Sequence, residues 1–218
     1  MPIACTALAF SYTNVNFCLA QLAIEKSTGQ KYADFVQVQL AQPARITLWE
    51  FATLPGKPDE PTYTPSKIDG PQPYVNLDFE AIGGAGAWTG TAAEFLRFMV
   101  AQRGQLANAS EPLLAAASFS QLTARPKSDA TSTAVVQYCL GAEVRNHSNG
   151  RVSLFHSGNL PGLSTCAVTY AGGWSMVATF NGDLPERSMR SAFNFDAAQR
   201  LRKVVEKSAV PAGEIRPL

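Results

Sequence analysis

Between Val135 and Phe180 the chain alternates short apolar runs with turn signals, and no other stretch limits the fold so tightly. The stretch Val152 to Gly162 begins as an apolar run and ends in a Pro-Gly break; the apolar run Val135 to Val144 precedes it and Leu163 to Tyr170 and Trp174 to Phe180 follow it, with Asn149-Gly150 and Gly172-Gly173 between them. Gly-containing pairs of this kind make hairpin turns. Segments so short and so closely joined predict four successive antiparallel strands. The second carries His156, Ser157 and Gly158 at its end. A glycine inside a strand lets a ligand or another backbone approach closely. A histidine followed by such a glycine predicts a strand that borders a binding cleft.

The first part of the chain reads as helical. Val15, Cys18, Leu19, Leu22 and Ala23 keep a helical spacing up to Lys26, while Phe17 and Ile24 fall off that stripe. A helix apolar on more than one side is expected to be buried. A second helix is predicted over about Lys31 to Ala41, ending before Pro43. Residues 43–80 are rich in proline and lack periodicity, so they predict a long irregular excursion with one short strand over Arg45 to Phe51. Gly83-Gly84-Ala85-Gly86 lacks the Lys-Ser/Thr of a phosphate loop and reads as a tight turn into the next helix. Thr91-Ala92-Ala93-Glu94 is a capping box for that helix, which runs to Arg103. Another helix is predicted over about Glu111 to Leu122 with Ser110 as its cap, and a final one over about Met189 to Glu206.

Composition removes several function classes. Eighteen basic residues stand against seventeen acidic ones, with no basic run, which argues against a nucleic-acid surface. The histidines are His147 and His156, and the four cysteines are far apart, so no metal site and no cofactor is expected. Pairing of the cysteines is not decided by their spacing; isolated buried thiols are expected. Residues 1–10 are too short and too poor in positive charge for a leader or a membrane span, which leaves the compartment open. Charged residues are 16% of the chain, against roughly 25% in an ordinary soluble protein. That scarcity predicts an apolar surface that a further segment would cover.

Three motifs then occur in a telling order. Tyr12-Thr13-Asn14 opens the first helix, Gly83-Gly84-Ala85-Gly86 precedes the Thr-capped helix, and His156-Ser157-Gly158 lies on a strand. With Ile24 to Gln30 and Leu160-Pro161-Gly162, this set resembles the C-terminal part of a penicillin-recognising serine hydrolase, over nearly the whole chain. That superfamily includes class C β-lactamases, D-alanyl-D-alanine carboxypeptidases and related esterases.

The resemblance implies an α+β fold, β-lactamase/transpeptidase-like and N-terminally truncated. Residues 1–130 would form a mostly helical lobe, and residues 131–218 an antiparallel sheet covered by a C-terminal helix. It implies roles as well. Tyr12 would be the general base or proton shuttle; a phenol titrates near about 10 and needs a nearby cation to act at neutral pH. Asn14 would hold a substrate carbonyl or amide, and His156 would tune the field around Tyr12. Gly158 and Ser157 would lie along the substrate, and the Asn159 backbone N–H would donate to the oxyanion. The partner would be a small-molecule or peptide ester or amide, opened through an acyl-enzyme.

The departure concerns the nucleophile. The family's Ser-x-x-Lys occurs nowhere among the 218 residues. Gly162-Leu163-Ser164-Thr165-Cys166 misses Gly-x-Ser-x-Gly by its last residue and leads into a strand. Ser157 follows His156 directly, and neighbouring strand residues point to opposite faces. The expectation is a chain inactive alone, completed by an N-terminal segment. The alternative is a non-catalytic binding or structural remnant of the fold. His156 where β-lactamases carry lysine tilts the expectation towards esterase or peptidase chemistry, because neutral imidazole attracts a substrate carboxylate less than ammonium does.

Overall fold

The computed structural model describes residues 12–53, 57, 60–61, 78–103, 113–126, 134–160, 162–182, 203 and 207. Helix α1 spans Val15–Thr28. Contrary to the sequence expectation it is not a buried helix: Val15, Leu19 and Leu22 are 59%, 57% and 57% exposed. Their spacing puts them on one face, and no described residue covers it. The one buried residue of α1 is polar. Gln21 donates from Nε2 to the Glu80 carbonyl (2.9 Å) and accepts at Oε1 from the Gly84 N–H (2.7 Å). This clamp explains Gly84. A side chain at Gly84 would collide with the Phe17 carbonyl oxygen, so glycine is there to let the turn lie on the helix backbone.

Helix α2, Tyr32–Val36, runs into a π turn over Gln37–Ala41, close to the predicted span. Ala41, Ala44 and Ile46 then bury themselves with Ala101, and Trp49, Phe98 and Leu113 pack around them. The predicted strand over Arg45 to Phe51 is confined to β1, Glu50–Phe51, paired antiparallel with β2, Trp88–Thr89. The reason lies in helix α3, Ala92–Gln102. Glu94 accepts at Oε1 from the Thr47 and Leu48 N–H groups, at 2.9 Å each, so those amides are taken by a carboxylate instead of a ladder. The capping box is accordingly half made. The Thr91 hydroxyl accepts from the Glu94 N–H (3.2 Å), while the buried Glu94 carboxylate reaches the Thr47 and Leu48 amides instead of the helix start.

Helix α4 covers Ala116–Thr123 and starts after Ala115, which offers no side-chain cap. The expected cap Ser110 and start Glu111 lie outside the described residues, as does the expected C-terminal helix except for Lys203. No described helix is long and apolar enough to cross a membrane.

Among the described residues the sheet has five strands rather than the four expected. They are β3 Val136–Tyr138, β4 Glu143–Asn146, β5 Val152–Leu160, β6 Leu163–Thr169 and β7 Ser175–Phe180, antiparallel in that order. The run Val135 to Val144 was one strand by hydropathy. Gly141 breaks it, with a φ of 92° that a side chain resists, and the Cys139 N–H turns back to the Ala142 carbonyl (2.8 Å). The two faces of the sheet bury different clusters. Leu154 packs with Cys139 and Val144, joined by Phe119 of α4, whereas its neighbour Phe155 packs with Cys166 and Val168.

Candidate active site

His156 is in the middle of β5, not at the strand's end, because β5 continues to Leu160 and pairs with β6 as far as Leu163.

Tyr12, from the other end of the chain, comes to the same place. Its ring meets the Tyr138 ring edge-on, with centroids 5.1 Å apart. The Tyr138 hydroxyl in turn lies 3.2 Å from His156 Nε2. The structure thus joins Tyr12 and His156 through a third residue that motif reasoning passed over. The signal was present: Gly141 ends the strand just past Tyr138, which leaves a phenol at a strand end. Burial pushes the Tyr138 phenol well above the ordinary tyrosine range, and Tyr12 beside it and then Glu143 push the same way. Tyr138 therefore stays a neutral hydroxyl, able to donate one hydrogen bond and accept others.

Asn14 precedes α1 and its backbone carbonyl accepts from the Phe17 and Cys18 N–H groups (3.0 and 3.2 Å). Its side chain makes no capping bond; the Thr13 hydroxyl accepts from the Val15 N–H instead (3.3 Å). The exposed Asn14 amide is therefore not consumed by the helix end.

The far end of β5 is open. Gly158 and Asn159 are exposed. A Cβ at Gly158 would meet Thr165 Oγ1 at 3.0 Å, so a larger residue would crowd the neighbouring strand. The Ser164 hydroxyl lies 2.7 Å from Asn159 Oδ1 and 3.0 Å from the Gly182 carbonyl oxygen. Ser164 is fully buried in this clasp, which makes it a support for Asn159 and a poor nucleophile. Ser157 shares the face of Phe155, away from the imidazole beside it.

The sequence profile described as Beta-lactamase matches residues 7–200. The chain belongs to the beta-lactamase family. Solved structures agree on the fold. A D-stereospecific amidohydrolase from Streptomyces sp. is 24% identical with a TM-score of 0.59, over 81% of this chain and 52% of that one. A penicillin binding protein from Bacillus halodurans is 17% identical with a TM-score of 0.65, over 89% and 57%. A mutant class C beta-lactamase is 16% identical with a TM-score of 0.69, over 88% and 58%. The chain thus spans about half the length of these beta-lactamase-fold proteins. No curated protein matches it.

Proposed function

We propose that Tyr12, Asn14, His156 and the Asn159 amide form the proton-handling and substrate-holding half of a serine-hydrolase site. The attacking serine and its lysine would come from a further segment, on this chain or a partner. The observation that carries this reading is the contact chain Tyr12–Tyr138–His156, which brings together two motifs from opposite ends of the sequence. The reaction would be acyl transfer. The serine oxygen attacks an ester or amide carbonyl, Tyr12 takes the serine proton, and the Asn159 N–H holds the developing oxyanion. Return of that proton to the leaving alcohol or amine breaks the scissile bond, and water then releases the acyl group. One fold neighbour is described as an amidohydrolase, which supports amides among the candidates.

A second reading, a non-catalytic binding or structural remnant, is favoured by the serines nearest the cleft. Ser164 is locked and Ser157 faces away. Intact-mass measurement after exposure to a fluorescent penicillin or a fluorophosphonate separates the two. An adduct that appears only when a Ser-x-x-Lys segment is added supports the hydrolase reading. No adduct under either condition supports the remnant. An adduct on Ser157 or Ser164 of the chain alone would sink both.

A further inference from the structure

Strand β5 has a second end, and a different chemistry gathers there. A cavity of about 530 Å³ opens beside Val152, lined by Arg103, Phe119, Gly150, Arg151, Gly172 and Gly173. It lies between the β4–β5 and β6–β7 turns, at the opposite end of β5 from Asn159.

Two cations are fixed on its wall. Arg103 donates from Nη1 to the Tyr170 carbonyl (3.4 Å), and Arg151 from Nη1 to the Ala171 carbonyl (3.3 Å). Consecutive carbonyls thus hold two guanidinium groups side by side. Among the described residues, neither has a carboxylate within 4.0 Å. The arrangement has an electrostatic cost: burial lowers the Arg103 pKa, and repulsion from Arg151 lowers it further. The turn that carries the carbonyls is itself anchored. Ser153, fully buried, accepts from the Ala171 N–H at 2.9 Å and lies 2.8 Å from His147 Nε2. The turn that presents the two carbonyls is therefore fixed, with Arg103 half-buried and Arg151 exposed beside it.

We propose that this cavity binds a small organic anion, with its carboxylate or phosphate held between Arg103 and Arg151 and its apolar part against Phe119. Guanidinium groups present planar donor forks that match such oxyanions. An anion would relieve the repulsion between them. The volume falls in the ordinary range for small-molecule sites, roughly 300–1,000 Å³. The cavity is separate from the Tyr12–His156 cleft and would work whether or not that cleft is catalytic.

Phenyl phosphate and benzoate are the probes, and inorganic phosphate and benzyl alcohol separate charge from ring. Calorimetry measures affinity, and backbone amide NMR locates the site. Expected results are binding of at least one organic anion and shifts at Gly150, Gly172 and Gly173. Arg151→Gln and Arg103→Gln should each weaken binding about tenfold or more, the usual worth of a hydrogen bond to a charged group. Arg151 is exposed on its turn, so its variant carries the test even if Arg103→Gln fails to fold. The proposal is overturned if neither anion binds, if benzyl alcohol or inorganic phosphate binds as tightly, if the shifts lie elsewhere, or if Arg151→Gln leaves affinity unchanged.

Discussion

Tyr138 and His156 meet across strand β4, phenol oxygen to imidazole Nε2, at 3.2 Å. The strand between them contributes Glu143, which adds to the forces that keep the phenol protonated.

That raised phenol predicts an alkaline signature. The folded protein holds the Tyr138 proton more tightly than the unfolded chain does, chiefly because of burial. The resulting stability is fully present below the unfolded tyrosine value of about 10 and is lost as pH rises towards the folded one. Tyr138→Phe removes that dependence. Urea midpoints between about pH 8 and pH 11 should fall more steeply for the native chain than for the variant. Parallel curves would contradict the burial of the phenol.

Glu94 ties α3 to the segment before β1. Glu94→Ala orphans the Thr47 and Leu48 amides and should cost about 2 kcal/mol or more. Glu94→Gln keeps an acceptor oxygen and should cost less. Denaturant unfolding of both variants checks the order. Equal losses would mean that the charge, and not the acceptor, holds the segment.

Gly84→Ala tests the seat of the glycine turn on α1. The added methyl meets the Phe17 carbonyl oxygen, and the turn can retreat only by breaking the Gln21 clamp. A loss of about 1–3 kcal/mol is expected, as for other overpacked contacts. Gly86→Ala, which meets nothing within 4 Å, is the matched control and should be nearly neutral.

The bare face of α1 should be sticky. Leu19 and Leu22 are both 57% exposed, so the chain should bind a hydrophobic dye or self-associate. Leu19→Gln with Leu22→Gln should abolish most dye binding with little change in unfolding midpoint. A large loss of stability would show that the face is packed in solution.

The sheet was legible in the sequence because period two and turn glycines are local signals. Its strand number was not, since hydropathy runs unbroken from Val135 to Val144 and the break depends on the backbone angle at Gly141. The burial expected for α1 failed because periodicity reports that a face is apolar, not what covers it. For the site, motif order pointed to Tyr12 and His156 as neighbours in one cleft. Tyr138 went unread because a tyrosine inside an apolar run counts as core until its hydroxyl partner is known. Glu94 was read correctly as a residue of the helix start and wrongly as a reciprocal cap. Its real partners lie at Thr47 and Leu48, and no local pattern could name them.

The strand order also has a temporal meaning. Every pairing from β3 to β7 joins strands that are neighbours in sequence. Such hairpins close short loops and should form early, whereas the Tyr12–Tyr138 contact must wait for a closure spanning most of the chain. The half of the cleft on the sheet would then exist before the half on α1 arrives. Pulse-labelled hydrogen exchange during refolding should find β5 and β6 amides protected ahead of those in α1. On that ordering the cleft is the slowest part of the molecule to assemble and the first to come apart under stress.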